Sequence, residues 1–310
     1  MRVPSDTHVG VLMGGWSAER EVSLRSGEAC ARALEAAGFR VTLLDVKRNI
    51  AEILQELRPD VAFNALHGKW GEDGTVQGIL ETLEIAYTHS GVLASAIAMN
   101  KDKSKSILKS AGVPVAESIL VELDIAAASH PMALPYVLKP VAEGSSVGVH
   151  IVPVGANGPV SSIVNERKLY GDKVMVEKFI PGKELTCAVM GDVSLGVIEI
   201  VPKVGFYDYE AKYSPGGSNH VLPAQVPHDV YRRVQHLSLT AHLALGCRGI
   251  SRADFRYNDT PGGEHELVIL EVNTQPGMTA TSLVPELAAH AGHTFEQLVT
   301  WMVDDASVNR

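Results

Sequence analysis

Cysteine is scarce in this 310-residue chain: Cys30, Cys187 and Cys247 are odd in number and far apart. With no CxxC pair, neither a disulfide framework nor a zinc site is indicated, and a reduced, cytoplasmic setting is the expectation. Long apolar runs are missing too. No stretch approaches the roughly 20 consecutive apolar residues of a membrane span. The opening Met1-Arg2-Val3-Pro4-Ser5-Asp6 lacks the apolar core of a secretory signal. Positive charge is in deficit, since 27 Lys and Arg against 36 Asp and Glu leave a net charge of -9. That argues against nucleic acid as a bulk partner, because phosphate backbones are gripped by a positive surface. A small polyphosphate stays possible, since a few lysines and backbone N–H groups suffice for one. Two phosphate-binding signatures are also missing. Gly14-Gly15-Trp16-Ser17-Ala18-Glu19 is not GxGxxG, and GxxxxGK[ST] occurs nowhere.

What is there fits a globular protein with 45% hydrophobic and 20% charged residues. The length allows two or three domains with sizeable cores. Val9–Met13 reads as a buried strand broken by Gly14-Gly15. A helix is expected from about Ser23 to Ala37, ended by Gly38. A strand at Val41–Leu44, a short helix at Ile50–Leu57 and a strand at Val61–Leu66 follow. Strands alternating with helices predict a parallel sheet covered on both faces, with ligands beyond the carboxyl ends of its strands. This α/β unit takes in residues 1–95. A Lys-rich helix is expected from Asn100 to Ala111, then strands at Pro135–Lys139, Lys173–Ile180, Glu184–Met190 and Val193–Val201. Residues 203–221 are rich in Gly, Pro and Ser with little periodicity, the pattern of a lid or a disordered insert. A helix with Val230, Val234, Leu237, Ala241 and Leu245 on one face leads to strands at Gly249–Tyr257 and Glu266–Val272, and two helices close the chain. Two α+β units, 96–181 and 182–310, are therefore expected after the first.

The strongest chemical signal is Arg252-Ala253-Asp254-Phe255 on one strand with Glu271-Val272-Asn273 on the next. These are hard oxygen ligands with no His or Cys beside them, the kind Mg²⁺ prefers. Glu271 and Asn273 are two apart and share one face of a strand. Alone, the three read equally well as solvated strand ends. Apolar Leu267–Leu270 before Glu271 and Pro276-Gly277 after Asn273 favour a placed site. Glu143-Gly144-Ser145-Ser146-Val147-Gly148 could cradle an anion through consecutive N–H groups or be an ordinary turn; Lys139 would add an ammonium beside it. Glu177-Lys178-Phe179-Ile180 could meet a purine and Glu184 a ribose, or form an edge strand with a solvated Glu. Lys212-Tyr213 lies in a segment with Tyr207 and Tyr209, rather aromatic for pure disorder. Glu19 sits in the first βα connection, and His67 beyond the third expected strand.

Together these pieces resemble one family. Gly14–Ser23, His67-Gly68 with Gly71-Glu72-Asp73-Gly74, Glu143–Gly148, Phe206–Tyr213 and Glu271–Thr279 are similar, in order, to the motifs of D-alanine–D-alanine ligases. The resemblance spans residues 9 to about 300. It implies an ATP-grasp fold with an N-terminal Rossmann-like α/β domain, and ATP between the second and third domains. Lys101 and Lys139 would contact phosphates, with Ser146 among the nucleotide-binding residues. Glu177, Lys178 and Ile180 would bind adenine and Glu184 the ribose. Asp254, Glu271 and Asn273 would hold two Mg²⁺ or Mn²⁺ ions. Glu19 would take the first D-alanine's ammonium, with Val22 and His67 also at that substrate. Arg252 and the Gly277 N–H would stabilise the oxyanion, and Lys212, Ser282 and Leu283 would hold the second D-alanine. Tyr213 and Ser145 would bond to Glu19 and close the site. The family also implies a cytoplasmic homodimer. Departures from its pattern are Trp16, Lys69-Trp70, Gln275 and the composition of Ser214–Ser218, all expected to lie away from the ligands. The activity implied is ATP-dependent dipeptide synthesis through an acyl phosphate. Alternatives are D-Ala–D-lactate or D-Ala–D-Ser ligation, or a silent ATP-binding sensor.

Overall fold

The computed structural model describes residues 1–144, 147–202, 218–279 and 281–310. The first unit is a parallel sheet in the order β2 (Arg40–Val46), β1 (His8–Gly14), β3 (Val61–Asn64), β4 (Ala86–Tyr87). Every residue of β1 is buried. A central parallel strand is covered on both faces, which is why it reads as one apolar run rather than an alternation. Helices α1 (Arg20–Ala36), α2 (Ile50–Leu57) and α3 (Thr75–Thr82) accompany these strands. Helix α1 is drawn tight against β1 at Gly27, where an added Cβ would lie 2.5 Å from the Met13 Cβ. The helix starts three residues earlier than its apolar pattern suggests, so Glu19 is its N-cap residue.

The helix expected over 100–111 is α5 (Lys101–Ser110), and an unexpected helix, α4 (Val92–Met99), runs directly into it. Asn100 separates them. Its extended backbone breaks the first helix, and its side chain accepts from the Lys103 N–H to cap the second. The expected domain boundary at residue 95 falls inside α4. Next come β5 (Ser118–Glu122), α6 (Leu123–Ala128), β6 (Tyr136–Pro140), β7 (His150–Val152), the single turn α7 (Arg167–Tyr170) and β8 (Lys173–Lys178). Their strands form an antiparallel sheet in the order β5-β8-β6-β7.

The last sheet is antiparallel, with order β11-β10-β9-β12-β13. Its strands are β9 (Lys183–Met190), β10 (Val193–Pro202), β11 (Ser218–Val221), β12 (Ile250–Tyr257) and β13 (Leu267–Asn273). The segment expected as a loop to residue 221 therefore ends in a strand, because Ser218–Val221 pairs with Glu199–Pro202. Helix α8 (His228–Ala244) follows β11, and α9 (Leu283–His290) and α10 (Phe295–Asp305) finish the chain. One apolar core joins Val9, Val11 and Phe63 of the first sheet to Leu287, Leu298 and Met302 of the terminal helices and to Ile198 and Ile250 of the last sheet. The middle sheet has its own core around Tyr136, Leu138, Ile163 and Val176.

Candidate active site

Strands β12 and β13 pair so that Asp254 stands opposite Glu271 and Arg252 opposite Asn273. Directly opposed residues of an antiparallel pair point to the same side. The expected oxygen donors thus share one face. Asp254 is buried; its Oδ1 accepts from Thr186 Oγ1 at 2.6 Å and Arg252 Nε at 2.9 Å, and its Oδ2 from Arg252 Nη2 at 2.7 Å. Lys101 Nζ lies 3.1 Å from Glu271 Oε2 and donates to the Glu143 carbonyl at 2.7 Å. Asn273 Oδ1 accepts from the Gln275 N–H at 2.7 Å. Gln275 therefore does touch a proposed ligand, contrary to the expectation that the departures lie apart. The contact uses its backbone, so side-chain identity gave no hint of it. Among the described residues no group of three or more His, Cys, Asp or Glu converges. The donor set is two carboxylates and an amide, all hard oxygen, which suits Mg²⁺ or Mn²⁺.

A cleft of about 780 Å³ opens between the middle and last sheets. Lys139, Glu177, Lys178, Ile180, Glu184, Asp254 and Glu271 all line it, so expected nucleotide residues meet two of the three expected metal residues, while Asn273 lines the neighbouring cleft. Two side chains there are engaged differently from expectation. The Glu177 carboxylate is committed to lysines: Oε1 accepts from Lys139 Nζ at 2.7 Å, and Oε2 forms an ion pair with Lys105. Burial pushes this carboxyl up, but the Lys139 and Lys105 ammonium groups outweigh burial and hold it below its usual range. The Lys178 ammonium lies 3.3 Å from Glu266, at the exposed margin. Glu184 sits 3.5 Å from Arg256, whose Nε donates to the Ile180 carbonyl.

A second cleft, about 920 Å³, is lined by Glu19, His67, Glu72, Arg252, Gly277, Ser282 and Leu283. It lies between the first and last sheets. Glu19 is buried at the start of α1 and packed tightly: Cβ atoms added at Gly68 and Gly144 would lie 2.6 and 3.1 Å from its Oε2. Gly68 has φ +69°, so glycine meets both the conformation and the close approach. His67 Nδ1 lies 3.1 Å from Glu72 Oε1, and Nε2 lies 3.2 Å from Ser26 Oγ. Burial pulls this imidazole down, but Glu72, with Glu19 beyond it, outweighs burial and holds it above its ordinary value. Near Gly277, Ser282 Oγ accepts from the Thr279 N–H at 2.9 Å. Val22 is buried within α1 and is not among the residues lining this cleft. Ser145, Ser146, Lys212 and Tyr213 lie outside the described residues.

Sequence reasoning gave no role to Glu72, Ser26, Thr186 or Lys105. The motif Gly71-Glu72-Asp73-Gly74 held the only signal for Glu72. The others gain meaning only from neighbours distant in the chain.

Family models decide where this architecture belongs. The model of the D-ala D-ala ligase C-terminus matches residues 107–304, and that of the N-terminus matches residues 46–90. The chain belongs to the D-alanine–D-alanine ligase family. A member from Methylobacterium radiotolerans is 63% identical over 304 residues, which cover 98% of this chain and 99% of that one. Among solved structures, a D-alanine–D-alanine ligase from Bacillus anthracis superposes with TM-score 0.80 at 32% identity, covering 96% of this chain and 97% of that one. A ligase from the same organism complexed with ATP gives TM-score 0.79 at 29% identity over the same shares. The middle and last sheets are accordingly the family's ATP-grasp fold, preceded by the Rossmann-like α/β unit of the first sheet.

Proposed function

We propose that this chain joins two D-alanines to D-alanyl-D-alanine with ATP, through a D-alanyl phosphate, and so supplies a peptidoglycan precursor. One observation carries the reading: the two clefts meet, and Lys101, Glu143 and Glu271 line both. A γ-phosphoryl group held in the first cleft would thus face a carboxylate held in the second. Carboxylates are poor acyl donors at neutral pH, and phosphorylation activates one. Such transfers depend on positioning and charge neutralisation. Lys101 and Lys139 would meet phosphate oxygens, while Lys178, Ile180 and Glu184 would line the nucleoside end. Asp254, Glu271 and Asn273 would hold Mg²⁺ or Mn²⁺, whose charge would offset that of the phosphates.

In the second cleft, Glu19 would take the first D-alanine's ammonium. A protonated His67, favoured by Glu72, would face its carboxylate. Arg252 and Gly277 line the same cleft, where a guanidinium and a backbone N–H could receive the oxygen of a tetrahedral intermediate. Ser282 and Leu283 would border the second D-alanine. Lys212 and Tyr213 would close the site and keep water from the acyl phosphate. The family resemblance supports a cytoplasmic homodimer, and size exclusion with light scattering should return twice the chain mass. Among the described residues no helix is long and apolar enough to cross a membrane.

The test is incubation with ATP, Mg²⁺ and D-alanine, followed by chromatography for the dipeptide and a phosphate assay. D-alanine-dependent phosphate release with dipeptide formation is expected. Faster ester formation with added D-lactate, or D-Ala–D-Ser formation ahead of D-Ala–D-Ala, would overturn the acceptor assignment. Nucleotide binding without turnover would instead mark a silent sensor.

A further inference from the structure

Helix α5 places Lys101 and Lys105 one turn apart, on the same face. Both are buried, with Lys105 only 4% exposed. Lysines are almost never fully buried unless something pairs with them. Lys101 lines both clefts and has a role there. Lys105 lines neither; it borders a groove on the other side, with Lys109 and Ser118. Glu177 stands between Lys105 and the nucleotide cleft. One carboxylate oxygen binds Lys139 at 2.7 Å on the cleft side, and the other pairs with Lys105 behind it. Glu177 is 2% exposed. Taking three charges out of water costs several kcal/mol per ion, and well-packed apolar side chains would often serve stability as well or better. Stability alone therefore does not account for the arrangement.

The charge balance offers a reason. Two ammonium groups and one carboxylate carry a net charge of +1. Without Lys105, Glu177 and Lys139 would form a neutral pair, leaving an arriving phosphate a dipole rather than a charge. We infer that Lys105 is a positioning residue for the nucleotide: it engages Glu177 from behind, so that Lys139 is held in place while its positive charge stays uncancelled for a polyphosphate. This inference rests on the proposed role of Lys139 at the phosphates. Burial pushes the Lys105 ammonium down to about 8, against the opposing pull of Glu177. The groups facing it are Glu177 of β8, Lys139 of β6 and Glu271 of β13, with Asp102, Lys109, Glu117, Lys178 and Glu266 around the groove. Nucleotide affinity should consequently fall as pH rises through about 8, where the trio loses a positive charge.

The experiment is calorimetric titration with a non-hydrolysable ATP analogue and Mg²⁺, beside KM values for ATP and D-alanine. Lys105→Met should weaken nucleotide binding at least about tenfold and leave the KM of the first D-alanine in place. It should also flatten the alkaline fall in affinity. Lys105→Arg, which keeps the charge, should bind nearly as wild type does. The deciding variant is Lys105→Met combined with Glu177→Gln, which returns the set to +1. It should bind the analogue more tightly than Lys105→Met alone. A double variant that binds the analogue no more tightly than Lys105→Met alone would overturn the inference. So would binding by Lys105→Met within about twofold of wild type. Should Lys105→Met fail to fold by circular dichroism, Lys105→Gln, which can still donate to Glu177, takes its place under the same criteria. Wild-type dipeptide synthesis with indifferent Lys105 variants would sink this inference alone. A wild type that binds no ATP would sink it together with the proposed function.

Discussion

Replacing Gln275 by leucine tests how the first and last sheets are coupled. Gln275 is 1% exposed and stands just after strand β13. Its Oε1 accepts from Asn64 Nδ2 at 2.7 Å, and its Nε2 donates to the Leu66 carbonyl at 2.6 Å. Leu66 immediately precedes His67, so the side chain fastens the loop carrying His67 to the strand carrying Asn273. Leucine keeps most of the volume, so little of any loss would come from a cavity. Two buried polar groups would lose a partner, at about 1–3 kcal/mol each. Asn64 Nδ2 keeps its bond to the Gly71 carbonyl, which trims the sum to about 2–4 kcal/mol. That is roughly a 30- to 700-fold rise in the unfolding constant, at tenfold per 1.4 kcal/mol. Urea unfolding followed by tryptophan emission is the assay, because Trp16 and Trp70 report on the first unit and Trp301 on the terminal helices. The KM for D-alanine should rise in parallel. A stability loss under about 1 kcal/mol would refute the argument, since even one orphaned buried group should cost that much.

Other perturbations have clear directions. Glu271→Gln should weaken divalent-cation binding and cut turnover at least about 100-fold with the circular dichroism spectrum retained; wild-type kinetics would remove Glu271 from the metal role. Glu72→Gln should let burial dominate at His67 and lower the imidazole titration followed by NMR. In the wild type the folded-state value is raised, so the stabilising proton is fully held below the ordinary imidazole range and lost as pH rises through the folded value. An unchanged His67 titration in the variant would show that Glu72 is not the cause. Gly27→Leu should lower the melting temperature by forcing α1 off Met13, at about 1–3 kcal/mol for overpacking; an unchanged melting temperature would mean the helix can shift freely.

The sequence exposed those features whose chemistry is local. Glu271 and Asn273 could be placed on one face because a strand alternates, and the apolar run before them marked the strand. Asp254 needed only the step that its strand is a neighbour. The register bears this out. The apolar pattern puts the α1 start late because Arg20 and Glu21 hide the helix among charged residues, and Glu19 makes no side-chain cap bond that would announce it. Glycines at 74, 78 and 91 read as punctuation and hide helices α3 and α4, although Gly74 and Gly91 only precede their helices. Lys105 looked like one more charge on a Lys-rich helix. Its burial comes from β6 and β8, tens of residues away, and a single helix gives no sign of that. The same holds for Glu177, whose two partners lie on different elements.

The distribution of apolar cores also sorts the molecule into parts that move together and a part that need not. The first and last sheets share a continuous interior through the terminal helices, whereas the middle sheet keeps its own. Between the middle and last sheets a small apolar seam is formed by Ala116, Ile180 and Val268. Swinging the middle sheet on that seam would open the cleft between the middle and last sheets and carry with it Glu143 and Gly144, which also border the second cleft beside Glu19. Deuterium uptake should then fall on nucleotide addition chiefly in residues 118–178, and a uniform change across all three sheets would contradict such a hinge.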